Sequence, residues 1–194
     1  MTNTDLIKIK QPNAMAICEG IEFEEEATAL LKYNPTVISF INELIAQKLY
    51  TDAVRFLAHA LPKREATWWA CLCARKNFTD TTPENELKAV EFAEACVYQP
   101  NKENRKIILP IAEAIGFKTA ASWAAMAAFW SGNDISPIPE AIIPPDEKLY
   151  AKAVVGAIML SATQGDAGTI NDNYSLFLKQ GLHIASGGDG RNIE

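Results

Sequence analysis

Four prolines, at positions 137, 139, 144 and 145, fall within SGNDISPIPEAIIPPDE, the stretch from residue 131 to 147. Proline locks φ and lacks an amide hydrogen, so neither a helix interior nor a central strand survives that density. The stretch is therefore an extended connector, and a core has to be assembled from the segments on either side of it. Those segments carry a helical period. In NPTVISFINELIAQKL, Val37, Ile38, Ile41, Leu44 and Ile45 recur three and four apart, with Asn34 expected as the cap and Pro35 as the first helical residue. TDAVRFLAHAL (51–61) follows, and Pro62 both closes it and opens the next helix.

TPENELKAVEFAEACVYQ sets Glu84, Lys88, Glu91 and Glu94 opposite Val90, Ala93, Cys96 and Val97, one wet stripe and one dry. Asn101 is expected to cap KENRKIILPIAEAIG, Pro110 to kink it and Gly116 to end it. The alanine-rich TAASWAAMAAFWSG permits close backbone approach and belongs at the centre of the fold. After the connector, Asp146 is expected to cap DEKLYAKAVVGAIMLSATQ, and NDNYSLFLKQGLHIAS is the last helix. The fold class is all-α, with about eight helices in an irregular helical-hairpin array and no repeat of fixed period. Residues 1–21, in which LIKIK alternates apolar and basic side chains, read as a short extended N-terminal arm. Acidic EFEEEA then begins a helical domain over 22–186, and GGDGRNIE (187–194) is expected to be a flexible tail.

A formal net charge of −6, with no basic stripe interleaved with aromatics, argues against nucleic acid as a partner. The longest apolar run, AVVGAIMLSA at 153–162, is about half a bilayer span, so no membrane insertion is expected. The N-terminus lacks a signal-peptide pattern, which points to the cytoplasm and to reduced thiols at Cys18, Cys71, Cys73 and Cys96.

The chemistry-bearing residues concentrate in ALPKREATWWACLCARKN, residues 60–77. Cys71 and Cys73 point about 200° apart on a helix, so they neither share a metal nor form a disulfide. Neither of the two histidines, His59 and His183, stands at ligand spacing from a cysteine, and no metal or cofactor is expected. Arg64 and Arg75 lie on the Cys71 side of the helix and could turn it into a reactive thiolate. The wide apolar arc through Trp68 and Trp69 reads first as core, and second as a groove lined by one of them with Trp130. Lys63 and Arg64 oppose the dipole at a helix start, which implies acidic partners elsewhere in the fold or a bound acidic group.

FLAHALPKREATWWACLCAR (56–75), SWAAMAAFWSG (122–132), the proline connector and AKAVVGAIMLSA (151–162) together resemble a family of small uncharacterised bacterial proteins without an assigned activity. The resemblance covers most of residues 30–186 and rests on Pro62, Arg64, Glu65, Trp68, Trp69, Arg75, Phe129, Trp130, Ser131 and Gly132. Some relatives are encoded beside secretion-system genes, particularly type VI loci, so the resemblance implies an accessory role. The expected function is a non-enzymatic protein–protein interaction module, an adaptor or chaperone-like accessory of a bacterial multiprotein machine. Its protein-binding residues would be Lys63, Arg64, Glu65, Trp68, Trp69, Arg75 and Trp130. The alternatives are an enzyme or small-ligand binder with a Trp-lined pocket, using Cys71 or His183, and a purely structural subunit.

Overall fold

Each periodic segment folds as a helix. The computed structural model describes residues 5–138, 140–191 and 193. Among them are ten α-helices: α1 (Ala14–Cys18), α2 (Glu25–Leu31), α3 (Val37–Ala46), α4 (Tyr50–Ala60), α5 (Lys63–Arg75), α6 (Glu84–Tyr98), α7 (Lys102–Ile115), α8 (Ala120–Trp130), α9 (Leu149–Thr163) and α10 (Ile170–Ala185). A 3-10 turn, Ala167–Thr169, leads into α10. The fold of the described residues is all-helical; α2 starts within the acidic EFEEEA as expected, and the short α1 in the N-terminal arm adds to the count.

Helix α8 occupies the centre and packs against α5, α6, α7 and α9. Its alanines at 120, 121, 124, 125, 127 and 128 are all buried. Thr119 and Ser122 form a reciprocal capping box at its start. On α9, a Cβ at Gly156 would lie 3.3 Å from Cδ2 of Trp123, a measure of how closely α9 approaches α8. Asn101 caps α7 by accepting the Asn104 amide at 2.7 Å, and Gly116 ends that helix in the left-handed region at φ +80°. Pro110 lies on the exposed side of α7, and the helix continues through it as one element.

Three local expectations are corrected. LIKIK, expected to be extended, makes a turn: Ile9 N–H bonds back to the Leu6 carbonyl, and Lys8 N–H binds the carbonyl of Ala185. Farther along the arm, Asn13 caps α1 and makes a lone antiparallel bridge to Thr36. Helix α3 is capped by Thr36, whose hydroxyl accepts the Ser39 amide at 3.2 Å, while Asn34 takes φ +49°. A cap residue needs extended backbone and a free side-chain oxygen; Asn34 has neither, since its Oδ1 accepts from Asn13 Nδ2 at 2.8 Å, and the cap falls to Thr36. Asp146 does not cap α9; its carboxylate accepts the Lys148 amide at 3.0 Å in a local turn, and the helix begins after Lys148.

The proline connector is free of helix among its described residues, and Asp134 organises it. One carboxylate oxygen accepts the amides of Ser136 and Ile143, each at 3.0 Å, and the other accepts from Lys102 Nζ at 3.0 Å. Those two amides, then Lys102, hold the carboxyl at about 2, below the usual aspartate range. In acid the unfolded chain binds the extra proton first. This contribution to stability is therefore present above about pH 4 and lost as pH falls towards about 2. A carbon-detected NMR titration should give Asp134 the midpoint of about 2, with the Ile143 amide shift following it. A midpoint in the ordinary aspartate range would refute this account of the connector.

A candidate interaction groove at the start of helix α5

Pro62 cannot continue α4, and it enters α5 with extended backbone and no side-chain cap. The first turn of α5 therefore presents Lys63, Arg64 and Glu65 side by side. Glu65 pairs with Lys8 of the N-terminal segment at 3.4 Å. Arg64 Nε donates to the Val97 carbonyl at 2.9 Å, and the Lys63 ammonium sits 5.5 Å from the Tyr150 ring centroid. Neither Lys63 nor Arg64 is in an ion pair among the described residues.

One turn along, Trp68 is only 8% exposed. Its indole Nε1 donates to the Asp189 carbonyl at 2.6 Å. The Arg191 guanidinium lies 4.8 Å above its ring, and Tyr98 meets it edge-on at 5.7 Å. Arg191 Nη2 also donates to the Tyr98 hydroxyl at 3.2 Å. Residues 187–191, from the segment expected as a flexible tail, thus form a strap against α5 and α6; Asn192 and Glu194 lie outside the described residues. Gly187 turns the chain at φ +96°, and buried Gly190, at φ +74°, donates its amide to His183 Nδ1 at 3.1 Å. The strap, α5, the end of α6 and Lys8 enclose a groove of about 280 Å³, with Val97 and Ile184 as its apolar lining.

Of the residues expected at a partner surface, Arg64, Glu65 and Trp68 line this groove, and Lys63 lines an adjoining cleft. Trp69, Arg75 and Trp130 do not join them. Trp69 is fully buried, donates to the Phe177 carbonyl at 2.7 Å and packs on Gly181. Arg75, at the other end of α5, is bound bidentately by Glu94 at 2.5 and 2.6 Å. Trp130 packs on Trp123 with ring centroids 6.4 Å apart. Sequence reasoning missed Lys8, Tyr98 and Arg191. The signal for Tyr98 was an aromatic at the end of an amphipathic helix; Arg191 was hidden in a glycine-rich segment read as a tail.

Cys71 is fully buried, and desolvation pushes its thiol well above the ordinary value, with Glu94 adding to the effect and Arg75 opposing it. That overturns the reactive-thiolate reading. His183 Nδ1 accepts the Gly190 amide of the strap. Among the described residues, no group of three or more His, Cys, Asp and Glu side chains is placed to hold a metal ion. No helix there is long and apolar enough to cross a membrane.

A second cavity, of about 370 Å³, is lined by Arg55, His59, Lys152 and Glu22. His59 Nδ1 lies 2.7 Å from the Arg55 carbonyl, which can only accept, so this nitrogen carries the proton and Nε2 keeps its lone pair. Burial, with Lys148 and Lys152 nearby, lowers the His59 pKa below its ordinary value.

DUF6931, described as a family of unknown function, matches residues 40–185. The chain belongs to the DUF6931 family. No curated protein and no solved structure matches it. The DUF6931 match runs from α3 to the last residue of α10, so it includes Arg64, Glu65, Trp68 and Tyr98. Lys8 and the Asp189–Arg191 strap fall outside it, and the groove is built where DUF6931 helices meet segments that flank the match.

Proposed function

We propose that this protein is a non-enzymatic protein–protein interaction module, an adaptor or chaperone-like accessory of a larger bacterial machine such as a secretion apparatus. Its working surface is the α5 groove, and its partner is a protein segment rich in acidic side chains. The observation that carries this reading is the Tyr98–Arg191 pair set over Trp68. Tyr98 is 58% exposed although it is a large aromatic, and Arg191 is exposed beside it. Rigid aromatic and arginine side chains are the usual anchors of interfaces. Lys8, Arg64 and Arg191 outnumber the Glu65 and Asp189 carboxylates around this groove, and with Lys8 paired to Glu65 it is Arg64 and Arg191 that suit an acidic partner.

The test is crosslinking and affinity capture from the native host, followed by titration of the recovered partner. Tyr98→Ala and Arg64→Glu should each weaken binding by about tenfold, roughly 1.4 kcal/mol. Arg75→Ala, away from the groove, should bind as the wild type does. If both groove variants keep full affinity, the partner surface lies elsewhere. A small-ligand reading is favoured by the His59 cavity, which a histidine with an unprotonated Nε2 lines together with Arg55 and Lys152. A small acidic ligand that shifts the His59 ring signals would support it.

A further inference from the structure

A cleft of about 120 Å³ adjoins the groove and shares Arg64 and Val97 with it. Three cations line it: Lys63 and Arg64 from the first turn of α5, and Arg105 from the start of α7. Thr67, Ser131 and Cys96 also line it, and among the described residues no carboxylate does. None of the three cations is in an ion pair among those residues. Lys63 is met by an aromatic face and Arg64 by a backbone carbonyl. Arg105 Nε is buried with no hydrogen-bond partner among the described residues. Folded proteins rarely leave a buried charged donor without an acceptor.

The backbone makes room for that arginine. A Cβ at Gly132 would lie 2.7 Å from Arg105 Nε and 2.9 Å from its Cδ and Cζ, so only glycine leaves the guanidinium its place. The amides that open α5 add to the same polarity, because Pro62 supplies no side-chain acceptor to them. Cys96 reports the field inside the cleft: burial raises its thiol pKa while Arg105 acts in the opposite sense.

We propose that the Lys63–Arg64–Arg105 cleft binds a phosphate-type oxyanion, either free or as the terminal phosphate of a small molecule. Three cations without a carboxylate are balanced better by a dianion than by a single carboxylate. Guanidinium groups also match the paired oxygens of a phosphate. The site stands apart from the protein partner proposed above, since it shares only Arg64 and Val97 with that groove and turns on Arg105.

The test uses the full chain labelled with nitrogen-15. Inorganic phosphate and glycerol phosphate are titrated separately at constant ionic strength, with sodium chloride and acetate as controls. Saturable shifts of the Arg105 and Arg64 Nε–H signals are expected, with a Kd on the order of 1 mM. Tighter binding of inorganic phosphate would identify a free ion as the ligand, and tighter binding of glycerol phosphate a monoester; both support the site. Arg105→Gln and Gly132→Ala should each weaken binding about tenfold, the second by displacing Arg105. Lys63→Gln, in case either variant fails to fold, should weaken it in the same direction. Shifts that chloride or acetate reproduces equally, or undiminished phosphate binding in folded Arg105→Gln, would overturn the proposal.

Discussion

Trp69→Ala is expected to lower the unfolding free energy by about 4 kcal/mol, within the range for emptying a large aromatic site in a core. The ring is fully buried between α5 and α10, and Gly181 is the residue that admits it. A Cβ at Gly181 would come within 2.8 Å of Trp69 Cε2 and 2.7 Å of Leu57 Cδ2, so the helices meet at contact distance around the indole. Alanine would leave that space open and strip the Phe177 carbonyl of the indole donor. Trp68→Ala should cost about half as much, since its ring faces the groove and its covering strap can settle over the gap. Urea unfolding followed by circular dichroism measures both. Equal losses for the two variants would contradict the division between a core tryptophan and a groove tryptophan.

That division shows where sequence reading runs out. Adjacent residues on a helix point about 100° apart, so one of two neighbouring tryptophans can be core while the other borders solvent. Which is which depends on where α10 lies, and α10 is about a hundred residues away along the chain. The helices themselves are legible because their apolar residues recur at helical spacing, and the alanines of α8 are enough to put it at the centre. Caps are legible only where local chemistry decides them. Asn101 and Gly116 behave as their residue types suggest, whereas Asn34, left-handed and engaged by Asn13 from the N-terminal arm, yields to Thr36. The α5 cations are legible as a problem without a visible solution. Their surroundings, Val97, Tyr150 and Arg105, come from α6, α9 and α7, which no local pattern brings together. Arg75 is misplaced for the same reason, because Glu94 on the neighbouring helix claims it.

The strap is the least legible element, and it carries the most informative variant. Gly190 is buried at φ +74°, a region that β-branched residues essentially avoid. A Cβ there would also lie 2.8 Å from Ile184 Cδ1 and 2.9 Å from Leu72 Cδ1. Gly190→Val therefore cannot keep the strap seated. Releasing residues 187–191 leaves the packed helices intact, so the destabilisation is limited to what the strap contributes, about 1–2 kcal/mol. The groove, however, loses Arg191 from above Trp68 and the Asp189 carbonyl from its indole in one step. Partner binding should fall by well over the roughly tenfold expected of Arg64→Glu, while far-UV circular dichroism stays helical and tryptophan emission shifts to the red. Truncation after Ser186 should reproduce all three effects. Full affinity in either protein would mean that the strap is only a cover for Trp68, and that the partner reads the helices beneath it.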